Sequence, residues 1–150
     1  MDAFTPERRR LEPQAAASSR PLTRPKALVV DADDASRGFA AEALHSFAPG
    51  FDVATARDPR QALAWIDKFP PDLLMIDLRF DSDGVSTLRE RLRTDARTGD
   101  CRIVVLSSLS ADDPRVESAR LESDAVLIKP VGLPFLLETV RRVMGRAGSH

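Results

Sequence analysis

Five short apolar runs recur along the chain at nearly regular intervals. Four of them are continuous rather than alternating, which is typical of strands covered on both faces of a parallel sheet. Their first residues lie 22 to 30 positions apart, which leaves room for one crossover helix between successive strands. The predicted strands are Ala27–Val30, Phe51–Ala56, Leu73–Ile76, Ile103–Leu106 and Ala125–Ile128.

Helical signals fill the intervals between these runs. Asp58-Pro59 followed by Gln61 is a typical helix start, with a capping carboxylate and proline at the first helical position. Asp113-Pro114 and Pro134 open two further predicted helices. The alternation predicts a (βα)5 fold, an α/β sandwich with a central parallel sheet. The helical residues expected to face that sheet are Phe39, Ala43, Leu44, Phe47, Leu63, Ile66, Phe69, Leu136, Leu137, Val140 and Val143.

The two ends of the chain lack this pattern. Residues 1–25 contain four prolines and scattered arginines without a sustained apolar period, so we expect a disordered N-terminal arm. Residues 26–145 form the predicted domain, and residues 146–150 form a short C-terminal tail. No apolar run approaches the roughly 18 residues that a membrane span needs, and we expect a cytoplasmic protein.

Composition narrows the classes of function. The 150 residues carry a net charge of −1, which gives the whole molecule no electrostatic footprint for nucleic acid. No helix-turn-helix segment is apparent, so we expect no DNA-binding domain in this chain. Cys101 is the single cysteine, which excludes an internal disulfide and favours a packing role. His45 and His150 are too isolated to form a metal or catalytic cluster.

Polar side chains directly follow four of the five predicted strands. They are Asp31, Asp77, Ser107 and Lys129. The carboxyl ends of parallel strands meet at one edge of the sheet, where open α/β sheets bind their ligands. Phosphoryl transfer to a carboxylate suits this set, because Asp can be a covalent nucleophile and Lys neutralises phosphate charge. Mg²⁺ binds a few carboxylate oxygens together with waters and phosphate oxygens.

The segments around these residues resemble the receiver domains of response regulators. The matching segments are Lys26–Asp31 (KALVVD), Pro71–Asp77 (PDLLMID), Ile103–Ser108 (IVVLSS) and Val126–Val131 (VLIKPV). The resemblance implies a flavodoxin-like sheet of order 2-1-3-4-5, which places Asp31 beside Asp77. It also implies a cis peptide bond between Lys129 and Pro130.

The resemblance assigns a role to each polar residue at the strand ends. Asp77 would be the phosphoacceptor, Lys129 would contact the phosphoryl group, and Ser107 would be the hydroxyl that moves toward it. Asp31, Asp77 and the backbone carbonyl of Arg79 would hold Mg²⁺.

Three positions depart from the receiver pattern. Ala32 stands where receivers usually carry a second acid, so we expect a weakened Mg²⁺ site. Asp33 is a further candidate ligand, although Asp at such a position is also typical of a helix cap. The loop after Asp77 lacks the usual Met-Pro, and Val126 replaces the usual Tyr or Phe of strand 5.

The favoured function is that of a receiver domain, which is not an enzyme. Asp77 would accept a phosphoryl group from a histidine kinase or phosphotransfer protein, and the domain would then bind an output protein. Homodimer formation stays open. Three features support an alternative, a pseudo-receiver that binds protein independently of phosphorylation: Ala32, the altered loop after Asp77, and Val126.

A phosphatase of the haloacid-dehalogenase type is a minor alternative. Asp31-Ala32-Asp33 after an apolar strand resembles the nucleophile motif of that family. The family also needs a late acidic motif for Mg²⁺, and Glu138 is the only acid after Lys129. This alternative would also leave Asp77 without a role.

Overall fold

Five strands and five helices alternate along the chain in the computed structural model, which describes residues 24–47, 50–79 and 82–145. The strands are β1 Lys26–Val30, β2 Asp52–Ala56, β3 Leu73–Asp77, β4 Arg102–Ser107 and β5 Ala125–Ile128. The helices are α1 Asp34–Ser46, α2 Pro59–Lys68, α3 Ser82–Arg93, α4 Pro114–Glu122 and α5 Leu133–Gly145. The predicted (βα)5 alternation is confirmed.

The two predicted terminal segments fall outside this description. Of the arm at residues 1–25, only residues 24 and 25 are described, and the tail at residues 146–150 is not. None of the described helices combines the length and the apolar character that crossing a membrane would require.

All five strands are parallel and follow the order β2-β1-β3-β4-β5, which confirms the expected order. Val30 lies opposite Ile76 in the β1–β3 register, so Asp31 and Asp77 continue neighbouring strands at the same level. Ser107 lies opposite Ile128, the residue before Lys129. The topology therefore brings all four polar residues to one edge of the sheet.

Both faces of the sheet are apolar, which explains why the runs in the sequence are continuous. Side chains alternate between the faces along each strand, and one face packs against α2, α3 and α4 while the other packs against α1 and α5. The first face includes Leu28, Val30, Leu74, Ile76, Ile66, Leu88 and Val116. The second includes Ala27, Val29, Met75, Leu44, Leu136 and Val140.

Carboxylate caps fix three of the helix starts. Asp33, Asp58 and Asp113 cap α1, α2 and α4, and each accepts a hydrogen bond from a backbone N–H in the first turn. Gln61 also accepts from the Arg57 N–H at 2.8 Å. Each cap contributes about 1 kcal/mol. The cap at Asp33 sets where α1 leaves the edge that carries Asp31.

Phe39 corrects one prediction about the core. It was expected to face the sheet, but its side chain is 44% exposed, and Ala40 is buried instead. The buried stripe of α1 contains Ala40, Ala43 and Leu44 and continues to Phe47. Successive helical residues differ by about 100° in direction, so Phe39 lies beside this stripe at the surface.

Cys101 is expected to be unreactive in the folded protein. Its side chain is 2% exposed, and burial raises the pKa of the thiol to about 12. A raised thiol pKa lowers the fraction of reactive thiolate at neutral pH. We expect iodoacetamide to modify the chain only after unfolding in guanidinium, as intact mass would show. Comparable modification rates with and without denaturant would contradict the buried position.

Candidate functional site

Lys129 joins the two aspartates at the edge of the sheet. Its Nζ is 3.1 Å from Oδ2 of Asp31 and 3.1 Å from Oδ2 of Asp77. The side chains of Asp31 and Asp77 are 1% and 0% exposed, while that of Lys129 is 17% exposed. Buried charges require such compensation, because an unpaired carboxylate in this environment is strongly unfavourable. Three of the four predicted residues therefore form one ionic cluster.

Asp31 accepts hydrogen bonds on both carboxylate oxygens. The Asp33 N–H donates to Oδ1 at 2.9 Å, and the Ser36 hydroxyl donates to Oδ2 at 2.7 Å. Burial acts to raise the pKa of Asp31, but the hydrogen bonds from Ser36, Asp33 and Lys129 outweigh it and hold the pKa below its ordinary value. Asp31 is therefore ionised at neutral pH and keeps Lys129 in place.

Asp77 has a fixed backbone donor and two cationic neighbours. The Arg79 N–H donates to Oδ1 at 3.0 Å. The Nε of Arg79 lies 3.7 Å from Oδ2, the oxygen that also contacts Lys129. The side chain of Arg79 is 53% exposed, so it extends from the surface to a buried carboxylate. The role of the Arg79 carbonyl as a metal ligand stays a prediction.

Ser107 lies at the same edge but outside the ionic cluster. Its hydroxyl is buried and accepts a hydrogen bond from the Leu109 N–H at 2.9 Å. Within the described part of the chain, it makes no hydrogen bond to Asp77. A hydroxyl can accept and donate at once, so the hydrogen bond from Leu109 leaves the Ser107 hydroxyl able to donate.

The connection after Lys129 borders a groove. The Lys129–Pro130 peptide bond is cis. The groove has a volume of about 570 Å³ and lies between the start of α1, the β5–α5 connection and α5. Its mostly apolar lining includes Asp33, Phe39, Lys129, Val131 and Leu136. The groove borders the ionic cluster through Lys129.

The carboxylates at this edge of the sheet offer Mg²⁺ only a small number of protein ligands. No group of three or more metal-binding side chains occurs among the described residues. Ala32 supplies no side-chain oxygen, and the Asp33 carboxylate accepts from the Ser36 N–H at 2.7 Å as the cap of α1. The Asp31 and Asp77 carboxylates nevertheless already share one cation, the ammonium of Lys129. Mg²⁺ fits such a pair, since it binds one or two carboxylates together with waters and phosphate oxygens.

The other two departures from the receiver pattern have different outcomes. Val126 is partly buried and packs against the apolar cluster on the α2–α4 face of the sheet. In the altered loop after Asp77, residues 80 and 81 lie outside the described ranges.

Sequence reasoning missed three contacts made by side chains at this edge. Besides the Ser36 hydroxyl on Asp31, the Arg37 guanidinium donates to the Asp31 carbonyl at 2.9 Å. The Arg79 side chain contacts Asp77, whereas the resemblance implies a role for its backbone carbonyl alone. A usable signal existed for Ser36 and Arg37, because a helix that begins three residues after Asp31 keeps its first turn near the strand end.

Comparison with known proteins gives consistent matches. A family model described as the response regulator receiver domain matches residues 27–141. The chain is 35% identical over 129 residues to the transcriptional regulatory protein PrrA of Mycobacterium tuberculosis, covering 85% of this chain and 53% of that protein. It is 30% identical over 122 residues to the DNA-binding dual master transcriptional regulator RpaA of Synechocystis, covering 81% and 50%. The chain thus spans about half the length of the curated relatives that it matches.

Solved structures match nearly along their full length. The chemotaxis protein CheY4 of Vibrio cholerae has a TM-score of 0.67 at 25% identity, covering 81% of this chain and 99% of that chain. A sensor protein from Polaromonas sp. JS666 has a TM-score of 0.68 at 28% identity, covering 84% and 100%. These matches support the architecture described above.

Proposed function

Since this chain belongs to the response regulator receiver family, we propose that it accepts a phosphoryl group on Asp77 from a histidine kinase or phosphotransfer protein. The phosphorylated domain then signals through contacts with an output protein. Receiver domains act in two-component signalling as signalling modules rather than as enzymes in the usual sense. One observation carries the proposal: the Lys129 ammonium lies 3.1 Å from a fully buried Asp77 carboxylate at the ligand-binding edge of the sheet.

The contacts of Asp77 suit a nucleophile whose phosphorylated form carries more negative charge than the free carboxylate. A carboxylate oxygen of Asp77 attacks phosphorus as the bond between phosphorus and the donor atom breaks. Lys129 then neutralises the added charge as a point cation, and Ser107 donates its hydroxyl proton to a phosphoryl oxygen. Mg²⁺, held by Asp31 and Asp77, would supply further positive charge to the phosphoryl oxygens when bound.

We propose that the phosphoryl donor protein binds in the groove beside Lys129. Asp77 is completely buried, whereas Lys129, which contacts it, is partly exposed and lines the groove, so a donor bound in the groove would approach the site from the Lys129 side. Half-exposed Phe39 and the apolar floor at Val131 and Leu136 offer a surface suited to an amphipathic helix. A phosphohistidine carried on such a helix would then reach the ionic cluster.

A phosphorylation-independent binding module is the second candidate. Two observations favour it. Ala32 removes one acid from the metal site, and Lys129 already satisfies both carboxylates of the resting cluster. In this alternative the cluster would hold the carboxyl edge of the sheet together, and the surface would bind partners without a chemical switch.

Phosphate incorporation separates the two functions. We expect wild type to gain one phosphoryl group from acetyl phosphate in the presence of Mg²⁺, measured by intact mass. Asp77→Asn removes the nucleophile and is expected to gain none. Asp72→Asn is the matched control, because Asp72 lies at the opposite end of β3 and accepts from the Lys26 N–H. It should incorporate phosphate like wild type.

The same experiment decides against the proposal if wild type and Asp77→Asn gain equally little mass. Incorporation in Asp77→Asn at the wild-type level would place the acceptor elsewhere. The first result would favour the binding-module alternative, whereas the second would argue against both candidates.

A further inference from the structure

Two cationic side chains contact the same oxygen of Asp77, and they differ in the number of carboxylates with which each forms an ion pair. Lys129 divides its charge between Asp77 and Asp31, at 3.1 Å from each. Among the described residues, the ion pair of Arg79 is with Asp77 alone, at 3.7 Å from Nε to Oδ2. Arg79 therefore brings a positive charge that Asp31 does not share.

The main chain of Arg79 is tied to the carboxylate that its side chain approaches. Its N–H donates to Oδ1 of Asp77 at 3.0 Å, while its side chain is 53% exposed. At 3.7 Å the Arg79 Nε is too far from Oδ2 for a hydrogen bond, and the arginine end of the pair is in contact with solvent. The side chain can therefore turn onto a new group at Asp77 without losing a strong resting interaction.

Phosphorylation creates that new group. A phosphoryl group carries about −1.5 to −2 charges near neutral pH, in a site where Ala32 cannot contribute a metal ligand. A guanidinium is always ionised, and its planar set of donors matches two phosphate oxygens at once. The residue type at position 79 thus fits the charge that the site has to neutralise.

We propose that the Arg79 guanidinium is a second phosphoryl-contacting group, which compensates for the acid missing at position 32. This inference rests on the proposed function of Asp77. In the reaction with acetyl phosphate, the bond between an Asp77 oxygen and phosphorus forms as the bond between phosphorus and the acetate oxygen breaks. Acetate leaves with the electron pair, and Arg79 stays protonated throughout.

Binding of beryllofluoride tests this role without turnover. Beryllofluoride is a tetrahedral substitute for a phosphoryl group, and its affinity for the full chain would be measured by calorimetry over a series of Mg²⁺ concentrations. Arg79→Gln removes the charge but keeps polarity, and we expect the apparent Kd to rise about tenfold, as for the loss of one charged hydrogen bond. Arg79→Lys keeps the positive charge but lacks the planar guanidinium. Its apparent Kd for beryllofluoride should lie between those of wild type and Arg79→Gln.

Arg24→Gln is a matched control. Arg24 also forms a 3.7 Å ion pair, with Asp52, and its side chain is 51% exposed. It precedes β1, at the opposite end of the sheet from Asp77, so its replacement should leave beryllofluoride affinity unchanged. The urea midpoint of Arg79→Gln should equal that of wild type, which separates the loss of affinity from a folding defect.

The outcomes distinguish this inference from the proposed function. If Arg79→Gln binds beryllofluoride as tightly as wild type at every Mg²⁺ concentration, the role of Arg79 is wrong and Asp77 remains the proposed acceptor. If wild type neither binds beryllofluoride nor gains mass from acetyl phosphate, the proposed function fails and this inference fails with it.

Discussion

Replacing Lys129 by methionine is expected to lower the free energy of unfolding by about 3–5 kcal/mol. The ammonium of Lys129 is the cation shared by Asp31 and Asp77, whose side chains are almost completely buried. Methionine keeps most of the apolar stem but leaves two buried carboxylates without that cation. Removing one partner of a buried ion pair costs more than the pair itself contributes, because the remaining charge stays desolvated.

The loss of stability in Lys129→Met should become smaller as the pH falls. The pKa of Asp31 is held below its ordinary value of 3.8 in the folded protein. A lowered carboxyl pKa contributes stability that is fully present above the ordinary value and is lost as the pH falls through the lowered one. The part of this stability that comes from the contact between Lys129 and Asp31 is absent in Lys129→Met. The difference between wild type and Lys129→Met should therefore be largest at neutral pH and shrink in acid.

Urea unfolding in the presence of a chelator would measure the effect. Lys68→Met is a matched control, since Lys68 is exposed near the end of α2, and we expect a change within about 0.5 kcal/mol. Lys129→Met combined with Asp77→Asn leaves only Asp31, which keeps its Ser36 and Asp33 donors. The double variant should recover part of the loss. Equal stability of Lys129→Met and Lys68→Met would show that the ionic cluster is not structurally important.

The fold could be predicted because its main signal is local. β5 was predicted with the bounds that the structure has, Ala125–Ile128. β1 and β3 each extend one residue further than predicted, and β4 does so at both ends, because polar residues such as Lys26 and Asp77 still pair with a neighbouring strand. β2 instead begins one residue later than predicted, at Asp52. A continuous apolar run reports burial on both faces, but it does not report where backbone hydrogen bonding stops.

The site could be predicted only to the level of which residues share the sheet edge. Strand polarity and order place Asp31, Asp77, Ser107 and Lys129 there, whatever their side chains do. Which groups touch depends on side-chain direction. Lys129 reaches both aspartates, whereas the Ser107 hydroxyl is held by the Leu109 N–H.

Contacts made by residues outside the strand ends were harder to predict. Ser36 reaches Asp31 because the Asp33 cap starts α1 close to the strand. Phe39 is exposed because it lies just before Ala40, at the side of the buried stripe. The Ser36 contact follows from the helix boundary, which is the part of an element that sequence patterns define least well.

Replacing Ala32 by aspartate is expected to raise Mg²⁺ affinity by about 10–100-fold. Ala32 is exposed and directly follows Asp31, at the position where the resemblance to receivers places a second acid. A carboxylate there would add an oxygen ligand to the pair formed by Asp31 and Asp77. Mg²⁺ binds hard oxygen ligands, and its affinity rises with the number of carboxylates that it can reach.

Ala35→Asp is the matched control for this substitution. Ala35 is also exposed and lies in the first turn of α1, so the variant adds the same charge to the same connection. An acid there suits the helix N-terminus, and we expect its effect on Mg²⁺ affinity to be small. Calorimetric titration of each variant with Mg²⁺ would measure the difference.

Unfolding gives a second measure of the same change. A ligand that binds only the folded state stabilises it in proportion to the logarithm of its concentration above Kd. The urea midpoint of Ala32→Asp should therefore rise with Mg²⁺ over a range where that of wild type does not. Equal Mg²⁺ affinities for Ala32→Asp and Ala35→Asp would mean that only general charge matters at this edge. The missing acid could then not explain a weakened metal site, and the compensation that we propose for Arg79 would lose its physical basis.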